Sequence, residues 1–151
     1  MDLYNKIILD LNNNPPNFAQ RVDAQHEVKA YNSYCGDKYK VHLDFVNQAE
    51  AISFSGYGCA VSKASTAILT ECVRGKSWQE IHDICVSVLD FLSRSDTDIQ
   101  GTASEITDID VRLESFAVVH KYPGRYDCAA LSWEEMRKYA RKELGQTDCK
   151  D

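Results

Sequence analysis

Residues 38–45 alternate between polar and apolar side chains, and this alternation constrains the fold more than any other feature of the 151-residue sequence. The apolar set is Tyr39, Val41, Leu43 and Phe45, and the polar set is Lys38, Lys40, His42 and Asp44. A period of two places the two sets on opposite faces of a β-strand. The pattern therefore predicts a strand with one buried face, and it places His42 on the face toward water.

Two weaker strand patterns flank this segment. Residues 26–34 are weakly strand-like, and residues 49–55 alternate again, with Ile52 and Phe54 inside and Ala51 out of phase. Three short strands in succession, joined by brief connections, are typical of an antiparallel meander.

Helical periodicity marks most of the remaining chain. A first helix is predicted over residues 2–12, a second after Cys59, and a third from a capping box formed by Ser77 and Glu80. A polar linker at 93–104, a helix over 106–117 that ends near 123–124, and a last helix from about Cys128 to Leu144 complete the chain. Strands followed by helices predict an α+β domain, with a three-stranded antiparallel sheet and about five helices packed mainly on one face.

Composition narrows the possible functions. With 17 basic and 23 acidic residues the net charge is −6, which argues against a general nucleic-acid binder. No stretch approaches the ~20 apolar residues of a membrane span, and the start lacks the features of a secretory signal. We therefore expect one cytoplasmic domain over residues 1–151, with a frayed tail at 145–151 and no nucleic-acid or membrane partner.

Six cysteines are distributed along the chain, at positions 35, 59, 72, 85, 128 and 149. In a reducing compartment such residues are metal ligands, catalytic thiols or small buried hydrophobes. Cys72 and Cys85 continue apolar helical stripes, which indicates core positions, and Cys149 lies in the polar tail. None of the four histidines is expected to ligate a metal.

Cys35, Asp37, Cys59 and Cys128 instead lie at junctions between predicted elements. Gly36 allows a bend between Cys35 and Asp37, while Cys59 and Cys128 are each predicted to begin a helix. The positive end of a helix dipole favours thiolate over thiol. Three thiolates and a carboxylate form a tetrahedral set for Zn²⁺, and thiolate-rich sites also suit iron–sulfur chemistry. Two alternatives stay open at this point: a purely structural zinc site, or four unrelated loop residues.

Arg125 is the candidate for compensating the charge of this set. Three thiolates and one carboxylate carry four negative charges, so Zn²⁺ leaves a net charge of −2, which is costly away from water. A cation three residues before Cys128 can offset that charge or hold a persulfide. The alternative is a solvated surface arginine.

Several segments together resemble the NifU/IscU-like iron–sulfur cluster assembly proteins. They are LYNKIILD near the start, Cys35-Gly36-Asp37, Gly56-Tyr57-Gly58-Cys59 with the following AVSKASTAILTECVRGKS, and RYDCAALSW from Arg125. The closest resemblance is to the SufU branch. The stretch between Cys59 and Cys128 is long enough for a helical insertion at about 93–115, and Asp127 occupies the position where IscU-type scaffolds carry a histidine ligand.

The resemblance implies the SufE/NifU (IscU-like) fold and a zinc ion held by Cys35, Asp37, Cys59 and Cys128. It further implies a zinc-dependent sulfurtransferase that accepts persulfide sulfur from a pyridoxal-phosphate cysteine desulfurase of the SufS type. The sulfur would pass to a downstream cluster scaffold or acceptor. The alternative is an IscU-like scaffold that binds iron, or assembles and hands on a transient [2Fe–2S] cluster.

Cys35 is the predicted sulfur acceptor within this set. It shares a glycine-containing loop with Asp37, whereas Cys59 and Cys128 are anchored in helices, so Cys35 can leave the metal at the least structural cost. The resemblance to SufU implies that a histidine of the desulfurase then replaces it.

Overall fold

The computed structural model describes residues 5–21, 23–34, 36–94 and 109–145. The elements in chain order are α1 (Lys6–Asn13), β1 (His26–Asn32), β2 (Asp37–Val46), β3 (Gln48–Tyr57), α2 (Ala60–Val73), α3 (Trp78–Ser93), the 3-10 helices η1 (Val111–Phe116) and η2 (Val119–Lys121), and α4 (Pro123–Glu143). None of the described helices is both long and apolar enough to cross a lipid bilayer.

The three strands form an antiparallel meander in the order β1–β2–β3, as the sequence predicts. Val28, Val41 and Phe54 lie side by side across the sheet and are all buried. The register between β2 and β3 shifts after His42, where Ala51 adopts a φ of 50°. This bulge is the physical origin of the out-of-phase alanine in the sequence, because an extra residue on one strand interrupts the alternation.

The predicted exposure of His42 is wrong, since its side chain is only 2% exposed. His42 lies on the outer face of the central strand, between Glu27 of β1 and Ser53 of β3. Arg21 donates to the Ala51 carbonyl and to Asp44, which holds the α1–β1 connection close to this face. Burial lowers the pKa of His42 below its usual value. Alternation gave the correct face but could not show that other chain segments cover part of it.

The helices cover the inner face of the sheet, which confirms the predicted α+β class. The last helix α4 packs against α2, α3 and β1, and α2 also packs against β3. The largest fully buried side chains are Trp133, Tyr39, Phe54, Phe91 and Phe116. Each such side chain contributes about 1.5–3 kcal/mol by leaving water.

Cys72 and Cys85 belong to this core, as their place in the apolar stripes predicts. Burial raises the pKa of the Cys72 thiol to about 12 and raises the pKa of the Cys85 thiol as well. Both sulfurs are therefore inert, protonated hydrophobes at neutral pH.

The predicted capping box at the start of α3 is present. The Ser77 hydroxyl accepts from the Glu80 N–H at 3.2 Å, and the Glu80 carboxylate accepts from the Ser77 N–H at 3.0 Å. The reciprocal bonds satisfy two backbone donors that the first helical turn leaves unpaired.

The α-helix predicted over 106–117 is wrong in type over Val111–Phe116, where the chain is 3-10 helical, and residues 106–108 lie outside the described ranges. Asp110 is extended, with a φ of −164°, and its carboxylate accepts from the Arg112 backbone and side chain. A residue in that conformation starts a new helix and cannot continue an α-helix through it. Of the predicted insertion at 93–115, residues 95–108 lie outside the described ranges, as do residues 146–151 of the predicted tail.

Candidate metal centre

Three of the four predicted ligands converge in the structure. Asp37 is the first residue of β2, Cys59 is the N-cap of α2, and Cys128 lies in the second turn of α4. One carboxylate oxygen and the two sulfurs all lie within 4.8 Å of one another. No other group of three metal-binding side chains occurs within the described ranges, and the described histidines are not part of this one. Cys35, the fourth predicted ligand and predicted sulfur acceptor, lies outside the described residues.

Cys59 caps the N-terminus of α2 with its sulfur. The Ser62 N–H points at the Cys59 Sγ at 3.4 Å, and the Cys59 N–H donates to the Asp37 carboxylate at 3.1 Å. One junction thus positions two candidate ligands, because the backbone of Cys59 holds Asp37 while its side chain faces the helix end. This part of the sequence prediction is confirmed: Cys59 does begin a helix.

Hydrogen bonding favours the thiolate form of Cys59. A hydrogen bond from Cys128 is the largest cause that holds the pKa of Cys59 well below its usual value, and hydrogen bonds from Ser62 add to it. Burial and the nearby Asp37 carboxylate act in the opposite direction. A sulfur that is ionised at neutral pH is a good metal ligand, since thiolate is the form that metals bind.

The helix-start prediction for Cys128 is wrong, because α4 begins five residues earlier at Pro123. Proline suits the first helical position, where its missing N–H is not needed. Pro123 therefore begins α4, whereas the sequence predicted that a helix ends near this residue. Cys128 is therefore too far along α4 for its sulfur to cap the helix start.

Arg125 supplies the positive charge beside Cys128. Its Nη1 lies 3.8 Å from the Cys128 Sγ, since residues three apart in a helix share a face. Cys128 is only 1% exposed, so the guanidinium faces a sulfur that water barely reaches. The structure thus places Arg125 beside the ligand group, as the charge argument from the sequence anticipates.

Ser62 contacts Cys59 and Tyr39 contacts Ser62, and neither residue is among the site residues predicted from the sequence. The Tyr39 hydroxyl lies 2.8 Å from the Ser62 Oγ, and both residues are buried. Gly58 leaves room for them: a Cβ there would lie 2.5 Å from the Tyr39 hydroxyl and 2.6 Å from the Ser62 Oγ, and would also overlap Asp37. The spacing of Cys59 and Ser62, an N-cap and its third helical residue, was the one available signal in the sequence.

A surface cavity of about 400 Å³ adjoins the ligand group. Its lining residues are Tyr31, Asn32, Ser33, Gly36, Asp37, Lys38 and Tyr57. Gly36 has a φ of 75°, a left-handed conformation that glycine adopts without steric cost, which explains its place in the turn before β2. Asp37 thus belongs both to the candidate ligand group and to the lining of this cavity.

Comparison with known proteins identifies the family. The model of the NifU-like N terminal domain matches residues 3–129. The chain belongs to the NifU-like N-terminal domain family. The resemblance noted from its motifs is thereby confirmed.

Two relatives of this chain are named for different functions, one as a sulfurtransferase and one as a scaffold protein. The chain is 30% identical over 147 residues to the zinc-dependent sulfurtransferase SufU of Bacillus subtilis (strain 168), covering 95% of this chain and 92% of that one. It is 28% identical over 141 residues to the iron–sulfur cluster assembly scaffold protein IscU of Streptococcus pyogenes serotype M1, covering 93% of this chain and 84% of that one.

A solved structure of a NifU-like protein (N-terminal) from Brucella abortus has the same fold. The TM-score is 0.75 at 16% identity, and the match covers 96% of each chain. At that identity the likeness concerns the fold alone.

The donor set of this family member fits zinc. Bond lengths of about 2.3 Å to sulfur and 2.0–2.2 Å to oxygen separate neighbouring ligand atoms by roughly 3.5–3.8 Å in a tetrahedral site. The group formed by Asp37, Cys59 and Cys128 therefore needs only a small contraction to surround one ion.

Proposed function

We propose that this protein is a zinc-dependent sulfurtransferase of the cytoplasm, which accepts persulfide sulfur from a cysteine desulfurase for iron–sulfur cluster assembly. The observation that carries the proposal is the convergence of Asp37, Cys59 and Cys128, with Arg125 against the Cys128 sulfur. The 30% identity to a zinc-dependent sulfurtransferase over nearly the whole chain supports it.

Asp37, Cys59 and Cys128 would hold the zinc ion, with Cys35 as the fourth ligand. When bound, zinc keeps the thiols deprotonated at neutral pH and ties the sheet to two helices. Arg125, which contacts Cys128, would offset part of the remaining negative charge and would bind an anionic persulfide.

Cys35 is the proposed acceptor, because the other two sulfurs are fixed by helices while Cys35 precedes Gly36 in the chain. Its thiolate attacks the terminal sulfur of the desulfurase persulfide. A new S–S bond forms on Cys35, the S–S bond of the desulfurase breaks, and the desulfurase cysteine leaves as a thiolate. The transferred sulfur keeps its oxidation level, so no external oxidant or reductant is needed.

The proposed donor is a pyridoxal-phosphate cysteine desulfurase of the SufS type, and the proposed recipient is a downstream cluster scaffold or acceptor. The cavity supports such an encounter, because it lies at the strand ends beside Asp37 and shares that residue with the candidate ligand group.

The deciding experiment follows sulfur from cysteine to this protein. The zinc-loaded protein is incubated with a SufS-type desulfurase and cysteine, alkylated, digested and analysed by mass spectrometry. We expect one extra sulfur on the peptide that contains Cys35, and its loss together with desulfurase stimulation in Cys35→Ser. Cys149→Ser, which changes a tail cysteine, should behave as the wild type. Extra sulfur found on Cys59 or Cys128 and never on Cys35 would show that the acceptor is assigned wrongly.

The second candidate function is an IscU-like scaffold for a transient [2Fe–2S] cluster, which the 28% identity to an IscU protein favours. Against it, Asp127 is exposed on α4 and is not a member of the ligand group. Anaerobic incubation with iron and sulfide separates the two. A scaffold acquires cluster absorption and loses zinc, whereas the proposed sulfurtransferase retains about one zinc per chain and stays colourless.

A further inference from the structure

The Tyr39 hydroxyl is a polar group on the buried face of the sheet. The side chain is 0% exposed, and its ring packs against Phe54 with 6.1 Å between centroids. Phenylalanine would fill the same space without a hydroxyl to satisfy. Since a buried hydroxyl without a partner destabilises the fold, the position of its partner is informative.

That partner is Ser62, which links Tyr39 to the ligand group. The Ser62 Oγ lies 2.8 Å from the Tyr39 hydroxyl, 3.1 Å from the Cys59 carbonyl oxygen and 3.6 Å from the Cys59 Sγ. A serine hydroxyl has one proton to donate. When that proton goes to the Cys59 carbonyl oxygen, the bond between Tyr39 and Ser62 requires Tyr39 to be the donor.

The relay, by which we mean the hydrogen-bonded contacts from Tyr39 through Ser62 to Cys59, is also closely packed. The hypothetical Cβ at Gly58 that would overlap both hydroxyls shows that protein atoms already fill this space. Ser62 also directs its backbone N–H at the Cys59 Sγ, so one residue contacts the ligand sulfur through two groups. Restricting the Ser62 hydroxyl therefore restricts the surroundings of Cys59.

We propose that Tyr39 is a positioning residue for the metal centre, which acts through Ser62 to hold the Cys59 sulfur toward Asp37 and Cys128. The inference rests on the proposed zinc site and extends it to a residue outside the proposed ligand set. Partners that orient ligands from outside the coordination shell typically change metal affinity by about 10–100-fold when they are removed.

The test compares four variants: Tyr39→Phe, Ser62→Ala, the double variant, and Tyr139→Phe as control. The control variant Tyr139→Phe also removes a hydrogen-bonded hydroxyl. The Tyr139 hydroxyl, however, lies 2.9 Å from the His26 Nδ1, in a different part of the fold. Zinc affinity is measured by competition with a chelator, and the sulfur-to-metal charge-transfer spectrum is recorded with Co²⁺. Thermal unfolding of each metal-free variant reports the fold separately.

We expect Tyr39→Phe and Ser62→Ala each to weaken zinc binding by about 10–100-fold and to alter the cobalt spectrum. The double variant should bind no more weakly than Ser62→Ala, because Tyr39 acts through Ser62. Tyr139→Phe should match the wild type.

Unchanged affinity and spectrum in Tyr39→Phe would overturn the inference, and so would losses that simply add in the double variant. If Tyr39→Phe is too unstable for the titration, an unchanged Ser62→Ala overturns it from the other end of the relay. A wild-type protein that binds no zinc would overturn the proposed function and this inference with it, which distinguishes that failure from a failure of Tyr39 alone.

Discussion

Gly58→Ala is expected to damage both the fold and the metal centre, because the added methyl group has no space. It would lie 2.5 Å from the Tyr39 hydroxyl and 2.6 Å from the Ser62 Oγ, and it would overlap the Asp37 carboxylate. All three neighbours are buried, so they cannot swing into solvent. Tyr39 lies in a strand and Ser62 in a helix, which leaves displacement of the Gly58–Cys59 junction as the remaining adjustment.

The magnitude follows from the cost of overpacking, which is about 1–3 kcal/mol in a well-packed interior. Replacement of glycine also lowers the conformational entropy of the unfolded chain, which offsets about 0.4–1 kcal/mol of that cost. For a chain of this length each kcal/mol lowers Tm by about 2–4 °C. We therefore expect the metal-free Gly58→Ala protein to melt lower by several degrees, and zinc affinity to fall by at least about tenfold because Asp37 and Cys59 move apart.

Thermal unfolding followed by circular dichroism and chelator competition measure the two effects. Gly124→Ala is the matched control: Gly124 lies in the first turn of α4, and a Cβ there would meet no atom within 4 Å. That variant should bind zinc normally and gain up to about 1 kcal/mol of stability from helix propensity. Wild-type Tm and zinc affinity in Gly58→Ala would refute the view that close packing at this junction sets the ligand geometry.

Three further predictions concern single residues. Burial lowers the pKa of His42 in the folded protein below the usual value near 6.5. As the pH drops through about 6.5, the unfolded chain therefore binds a proton at His42 before the folded protein does, and the free energy of unfolding should fall. In urea titrations at several pH values, His42→Gln should show a weaker dependence of this free energy on pH. Ser77→Ala should cost about 1 kcal/mol, seen as a Tm lower by about 2–4 °C with zinc content unchanged; an unchanged Tm would mean that the capping box contributes nothing measurable. Arg125→Gln should slow persulfide formation on the protein and weaken zinc binding, whereas Arg94→Gln, which removes an exposed arginine paired with Asp90, should change neither; equal behaviour of the two variants would count against a role for Arg125.

Several parts of the fold could be predicted from the sequence because they depend on local chemistry. The alternation of residues 38–45 determined a strand, since a period of two has no other regular explanation. The capping box of Ser77 and Glu80 marked the start of α3, because both bonds lie within four residues. Ala51 leaves the alternation in the sequence, and the structure shows that a β-bulge is the cause.

Predictions from local patterns were wrong where the same residue is compatible with two different structures. Pro123 ends a helix in one context and begins one in another, and the structure uses it to begin α4. His42 lies on the polar face of its strand but is buried there, with its Nε2 3.4 Å from the Ser55 Oγ of β3 and its Nδ1 4.0 Å from the Glu27 carboxylate of β1. Neither outcome can be decided from residues that are neighbours along the chain.

The candidate metal centre also combines features that the sequence predicts with features that only tertiary packing decides. The types of the candidate ligands and the position of Cys59 at a helix start could be read from the sequence, because only certain side chains bind metals and because Cys59 follows a glycine-containing turn. The position of Cys128 inside α4 could not. The convergence of Asp37, Cys59 and Cys128 depends on one strand and two helices meeting at one point. The contact from Tyr39 through Ser62 to Cys59 depends on the same meeting, since it joins the buried face of β2 to the first turn of α2. Packing between elements decides such contacts, and their spacing along the chain leaves no periodic pattern.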